Sequence, residues 1–265
     1  MSVEAMRRDR RSFLGSASAA LAGMALTAKA SAALSLRDVG IKAVAFDAFA
    51  IFDSSPVFRM LEELYPGRGT HISELWRGRQ FEYTWLRNSM VAYEDFWRVT
   101  ENALVYATKQ ARVELPTGVR ASLMNAYTEL QPWPEVPRVL ADLRRRGLHL
   151  ALLSNMTAPV MHGCVRASRL DAVFDFHLST DQVQSFKPSA AAYRLGLEAF
   201  GMSVKQIAFV AFGSWDAAGA SHFGYPTYWG NRAGVTAEEL GAFADVASSD
   251  LAALPATIDT RWSNA

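Results

Sequence analysis

From Ile41 onward, short apolar runs alternate with segments whose apolar residues recur every three to four positions. Five runs read as strands: Lys42–Phe46, Leu148–Leu153, Phe174–Leu178, Ile207–Phe212 and Pro226–Trp229. Most carry little polar alternation, as strands covered on both faces do. Val136–Arg146, Pro188–Phe200 and Asp216–Phe223 lie between them and read as helices. Strand and helix in alternation predict a parallel sheet with helices packed on both faces.

The interval between the first two strands departs from this rhythm. From Ser55 to Leu130 it is rich in helix formers and aromatics, as in Ile72-Ser-Glu-Leu-Trp-Arg-Gly-Arg-Gln-Phe-Glu-Tyr-Thr-Trp-Leu-Arg87, again with an apolar period of three to four. This predicts an inserted helical-bundle cap over residues 55–130, and Gln131-Pro-Trp-Pro134 marks the return to the sheet. The expected class is α/β: a Rossmann-like parallel-sheet core from residues 31–54 and 131–265 with helices on both faces, plus the cap.

The N-terminus follows another logic. Arg10-Arg11-Ser-Phe-Leu14 precedes an uncharged run of small and apolar residues, Gly15–Ala28, and Ala28-Lys-Ala30 offers small residues at a cleavage site. The run is short for a bilayer span. It resembles a twin-arginine signal, which implies export to the periplasm, cleavage after residue 30 and no stable membrane association afterwards. Cleavage would remove Arg7, Arg8, Arg10, Arg11 and Lys29 together with Glu4 and Asp9, changing the formal charge from +1 to −2.

Neither charge suggests a nucleic-acid partner. Cys164 is the only cysteine, so an intramolecular disulfide is excluded, and His71, His149, His162, His177 and His222 lack metal-ligand spacing.

In open parallel sheets, functional groups gather at the carboxyl ends of strands. There the chain places Asp47, then Ser154-Asn155, then Lys187 in Ser185-Phe-Lys-Pro188, then Asp216 in Phe212-Gly-Ser-Trp-Asp216. An acid, a hydroxyl with an amide, a lysine and a second acid, in that order, resemble the four-motif signature of the haloacid dehalogenase superfamily. An acid ending a buried strand then serves as a nucleophile at the mouth of the sheet. Magnesium-dependent phosphatases of that superfamily carry further acids where this chain has Phe49 and Phe212, which makes phosphatase chemistry the weaker reading.

From Ile41 to about Ala253 the chain more specifically resembles the L-2-haloacid dehalogenases. The shared stretches are Tyr65-Pro-Gly-Arg-Gly69, Leu75-Trp-Arg77, Glu82-Tyr-Thr-Trp-Leu-Arg87, Leu153-Ser-Asn155, Val183-Gln184, Phe186-Lys-Pro188, Tyr193 and Trp215-Asp-Ala217. The resemblance implies that Asp47 attacks C2 of a small 2-haloacid and expels halide, and that water then opens the aspartyl ester. It implies no cofactor or metal, and a homodimer.

Arg77 is then expected to hold halide or substrate carboxylate, and Lys187 to keep Asp47 ionised. Ser154 and Asn155 contact the nucleophile and halide or cap the next helix. Tyr193 donates to the substrate carboxylate or packs, and Asp216 orients Lys187 or the hydrolytic water or caps a helix. Phe81, Phe96 and Trp215 wall a dry pocket or are plain core.

Two stretches depart from the family. Asp47-Ala-Phe-Ala-Ile-Phe-Asp53 replaces Asp-x-Tyr-Gly-Thr-Leu-x-Asp, so Ile51 brings no hydroxyl, and Ala211-Phe-Gly213 replaces Ser-x-Asn. The lost amide at Gly213 implies that ester hydrolysis is the slower half-reaction unless Ser214 substitutes. A binding descendant without turnover, and another hydrolase using Asp47, stay open as alternatives.

Overall fold

A computed structural model describes residues 40–262; the expected signal at residues 1–30 lies outside the described residues. The first strand, β1 (Ala43–Phe46), runs into a one-turn helix α1 (Ala48–Ile51) and a two-residue strand β2 (Phe52–Asp53). Four helices follow: α2 (Ser55–Leu64), α3 (Gly69–Met90), α4 (Phe96–Gln110) and α5 (Thr117–Ala126). The strand β3 (Gln131–Pro132) then pairs antiparallel with β2 and closes the insertion at its neck. The rest of the chain is α6 (Val136–Arg145), β4 (His149–Ser154), α7 (Ala158–Ala167), β5 (Phe176–Ser179), α8 (Ala190–Phe200), β6 (Ile207–Ala211), α9 (Ser214–Phe223), β7 (Thr227–Gly230), β8 (Val246–Ser248) and α10 (Leu254–Arg261).

Six strands form one parallel sheet in the order β5-β4-β1-β6-β7-β8. All four residues of β1 are fully buried, and they divide by parity. Val44 and Phe46 join Leu150, Leu152, Ala208 and Val210 on the face covered by α6, α7 and α10. Ala43 and Ala45 join Ala151, Leu153, Phe209 and Ala211 on the face covered by α8 and α9. The α/β class read from periodicity is therefore the observed one.

The strand order reverses at β1, whose neighbours are β4 and β6. Phe46 is level with Leu152 and Val210, so β1, β4 and β6 end within two residues of one another at the crevice where open sheets bind ligands.

Two features have no counterpart in the hydrophobic pattern. The edge strand β8 holds only partly buried and exposed residues, and β2 with β3 spans two residues each. Main-chain pairing makes both, and periodicity does not register it. The expected strand at Phe174 starts two residues later because Asp175 holds Leu150 in another way: its N–H donates to Leu150 O at 2.7 Å and its carboxylate accepts from Leu150 N at 2.9 Å.

In the cap, α3 and α4 are joined by polar bonds inside an apolar contact. Trp76 Nε1 donates to Thr100 O at 2.8 Å and Gln80 Nε2 to Thr100 Oγ1 at 2.7 Å. At the neck, Trp133 N–H donates to Ile51 O at 3.0 Å and its indole to Phe49 O at 3.1 Å. Among the described residues no helix is long and apolar enough to cross a membrane.

The turn from α2 into α3 leaves no room for a side chain at Gly69, where a Cβ would stand 2.3 Å from the main chain of Glu62. Gly69→Ala is expected to lower stability by roughly 1–3 kcal/mol, as overpacking against backbone does. Thermal denaturation checks this, with Gly118→Ala as the control because its added Cβ meets nothing within 4 Å.

Candidate active site

Asp47 directly follows β1. Its N–H donates to Val210 O at 2.9 Å, and its Oδ2 accepts from Phe49 N at 3.0 Å, so the carboxylate caps α1 while staying at the strand mouth. Its other oxygen, Oδ1, accepts from Lys187 Nζ at 2.8 Å and from Ser154 Oγ at 3.4 Å.

Lys187 is fully enclosed, and its ammonium also donates to Asp216 Oδ2 at 2.7 Å. The cation thus stands between two carboxylates, one at the end of β1 and one on the helix after the adjacent strand β6, 5.1 Å from the Phe209 ring centre. Burial pushes the lysine down, but the charges of Asp216 and Asp47 outweigh it and leave it above its ordinary value. Burial is likewise the largest influence on Asp216, whose pKa rises to about 6 although Lys187 pulls the other way.

Tyr193 sits beneath this cluster. Its hydroxyl donates to Asp216 Oδ1 at 2.7 Å and its side chain is fully buried, so it supports the second acid and does not reach the cleft as a donor to a substrate carboxylate. Burial, then the neighbouring Asp216, push the phenol well above its ordinary pKa, so it remains a donor. Gly219 makes this contact possible, since a Cβ there would stand 2.6 Å from the Tyr193 hydroxyl. Nothing in the hydrophobic pattern marks that glycine.

Ser154 ends β4, and Asn155 turns inward behind it. Asn155 Oδ1 accepts from Lys187 N at 3.0 Å and Thr180 Oγ1 at 3.3 Å, which fixes the amide's orientation. Its Nδ2 is then a buried donor with no partner. Such a group costs free energy unless a ligand accepts from it.

A cleft of about 530 Å³ between cap and core is lined by Arg77, Phe81, Phe58, Phe212 and Trp215 among others; Asp47, Lys187 and Asp216 are not in its lining, and it adjoins them through Trp215, the residue before Asp216. Arg77 is exposed on α3, 5.1 Å from the Phe58 ring centre, and forms no ion pair among the described residues. Trp215 packs on Phe81 at 5.1 Å and edge-on to Trp85 at 5.8 Å. Phe212, whose ring lies 6.1 Å from that of Phe49, carries the cleft wall back to the turn after Asp47.

Phe96 does not join this wall. It is 4% exposed and packs edge-on against Phe186, behind the lysine segment. At Gly213, a Cβ would stand 2.7 Å from Trp215 Nε1, so the indole occupies the space a side chain there would need. Ser214 is engaged elsewhere, donating to Glu238 at 2.6 Å.

The donor set does not fit a magnesium site of the phosphatase kind. Phe49 and Phe212 bring no oxygens, and the Lys187 ammonium fills the space between the two carboxylates. No group of three or more potential ligands is positioned for a metal among the described residues.

A parallel sheet with one acid at the end of its central strand, a second on the helix after the adjacent strand, a lysine between them and a helical cap above defines a hydrolase with a carboxylate nucleophile. The chain belongs to the haloacid dehalogenase-like hydrolase family, whose profile matches residues 41–224. It is 41% identical over 221 residues to the (S)-2-haloacid dehalogenase of Pseudomonas sp. (strain YL), covering 83% of this chain and 95% of that protein. Haloacetate dehalogenase H-2 of Moraxella sp. (strain B) is 41% identical over 206 residues, 77% of this chain and 92% of that one. The solved structure of L-2-haloacid dehalogenase from Xanthobacter autotrophicus with chloropropionic acid covalently bound superposes with a TM-score of 0.77 at 31% identity, covering 83% and 99% of the two chains.

The raised pKa of Asp216 has a measurable sign. Its folded value of about 6 lies above the ordinary 3.8, so its contribution to stability is present below about pH 4 and lost as pH rises through 6. Relative to Asp216→Asn, the wild type is expected to lose unfolding free energy across that window in urea titrations. A difference that stays flat with pH would mean that Asp216 titrates as an ordinary aspartate.

Proposed function

We propose that the protein hydrolyses the carbon–halogen bond of small 2-haloacids, giving the 2-hydroxyacid with inverted configuration. The carrying observation is the Lys187 ammonium held between Asp47 and Asp216 beside an aromatic cleft that contains Arg77. A carboxylate paired with a buried cation and largely withdrawn from water is a competent nucleophile.

In the first half-reaction an Asp47 oxygen attacks C2 in line. The carbon–oxygen bond forms as the carbon–halogen bond breaks, and halide leaves with the bonding pair. The Arg77 guanidinium offers a planar fork to the substrate carboxylate or the halide, and Asn155 Nδ2 is a donor still in want of an acceptor. In the second half-reaction water adds to the aspartyl carbonyl and gives one proton to Asp216; as the ester opens, Asp216 passes that proton to the departing 2-oxygen to free the hydroxyacid, and the other water proton is released as Asp47 returns to its carboxylate. A base that titrates near 6 is ionised at neutral pH and close enough to it to work efficiently. The named relatives support the substrate class, since they are (S)-2-haloacid and haloacetate dehalogenases and one structure holds chloropropionic acid covalently.

Halide release from 2-chloropropionate or chloroacetate is expected to be equal with and without EDTA and absent in Asp47→Ala. Losing a water-positioning group costs roughly 10²–10⁴-fold, and Gly213 supplies none, so the ester is expected to accumulate. Mass spectrometry after quenching with chloroacetate should find one carboxymethyl group on the peptide containing Asp47. Inhibition by EDTA, or faster turnover of p-nitrophenyl phosphate, would count against the reading.

Export to the periplasm by the twin-arginine route is proposed from Arg10-Arg11, the uncharged run after it and Ala28-Lys-Ala30. Cell fractionation should find a mature form beginning near Ser31 in the periplasm, and changing both arginines to lysine should leave precursor in the cytoplasm. Full-length protein confined to the cytoplasm would contradict it.

A further inference from the structure

The segment that carries Lys187 has little secondary structure to hold it. A short 3-10 turn, Thr180–Val183, ends at Gln184 with φ of 46°, and Ser185 and Phe186 belong to neither helix nor strand before α8 begins at Ala190. Yet Lys187 has to place its ammonium within hydrogen-bond reach of two acids at once.

The cap supplies the missing constraint. Asn88, near the end of α3, donates from Nδ2 to Phe186 O at 2.8 Å and accepts at Oδ1 from Phe186 N at 3.0 Å. One side-chain amide thereby binds both main-chain polar groups of the residue before the lysine. From the core side Asn155 accepts the next N–H, that of Lys187. The Phe186 ring is fully buried between Tyr93 at 4.9 Å and Phe96 at 6.3 Å, both of the cap region, and the Tyr93 hydroxyl donates to Asp181 at the other end of the segment.

We propose that Asn88 is a positioning residue for dehalogenation: by gripping the Phe186 main chain from the cap, it sets the reach of Lys187 to Asp47 and Asp216. The placement of the lysine is then conditional on the cap being seated, so that the nucleophile is fully activated only when Arg77 and Phe81, which belong to the same helix as Asn88, are in place. This inference rests on the dehalogenase reading. It gives Phe96 a role behind the lysine in place of one in the cleft, and Tyr93 a role beside it.

The test compares Asn88→Leu, which removes both bonds at similar size, with Asn88→Asp, which keeps the acceptor for Phe186 N and loses the donor. Misplacing a catalytic group by a fraction of an ångström to an ångström is expected to lower kcat by about ten- to a hundredfold in Asn88→Leu, with KM changed by less than about twofold and Asn88→Asp intermediate. A second readout is the acid limb of the rate profile. The charged and polar groups around the ammonium are Asp47 after β1, Asp216 on α9, Ser154 at the end of β4, and Tyr193 on α8 beneath Asp216. With Lys187 withdrawn, Asp216 loses the cation that pulls its pKa down and holds its proton to higher pH, so the limb should move upward. Wild-type kcat and an unmoved limb in Asn88→Leu, even with a lower Tm, would overturn the inference and leave Asn88 a packing residue. If Asn88→Leu fails to fold, Asn88→Asp decides by the same two readouts. A wild type that releases no halide overturns the dehalogenase reading itself, whereas halide release untouched by either substitution overturns only the role of Asn88.

Discussion

Three groups that would each be ionised in water, Asp47, Lys187 and Asp216, are shut together at the end of a buried sheet, and the rest of the site follows from the need to satisfy them. A lone buried ammonium or carboxylate would shed its charge, because desolvation outweighs what a low-dielectric surrounding returns. Set 2.8 and 2.7 Å from two acids, the lysine keeps its proton, and each acid keeps a counter-charge. Removing one member of such a cluster typically costs about 3–5 kcal/mol, since it strands the others. Tyr193 beneath Asp216, the Phe49 N–H on Asp47 and the small residue at Gly219 are supports for this charge arrangement.

The sheet decides where the cluster can exist. Parallel strands leave their carboxyl ends open to loops, and the reversal of strand order at β1 separates the loops after β4 and β6 enough for a side chain to enter between them. Small residues on one face of the sheet, Ala43, Ala45, Ala151 and Ala211, leave space for Tyr193, Phe209 and Tyr225. The core therefore brings charge, and the cap brings shape: Arg77, Phe81 and the helix that carries them close a cleft over a nucleophile they do not hold.

At Gly213 ring packing takes the space that a side chain would need. The Trp215 indole lies over the glycine, where a Cβ would collide with it, while Ser214 is turned toward Glu238. Aromatic stacking among Phe81, Trp85 and Trp215 thus fills what could have been a water site. A dry wall of this kind suits the displacement of halide proposed above, whereas hydrolysis of an ester needs an ordered water.

The sequence by itself determined the alternation of strand and helix, the insertion after β1, and the chain order of acid, hydroxyl with amide, lysine and second acid, because burial on two faces and strand-end position both leave local patterns. It did not determine which groups touch. Tyr193 and Phe96 have the composition of pocket residues, and only packing turned one beneath Asp216 and the other behind Phe186. Gly219 and Asn88 carry no local mark at all. Gly219 is set by the approach of a hydroxyl 26 residues earlier in the chain, and Asn88 by main-chain groups 98 residues later. The edge strand β8 and the neck pair β2–β3 depend on main-chain pairing, which any residues can make. Contacts between distant segments decide the site because its energetics lie in desolvated charge, and how far a charge is desolvated is a property of the folded neighbourhood that no window of sequence contains.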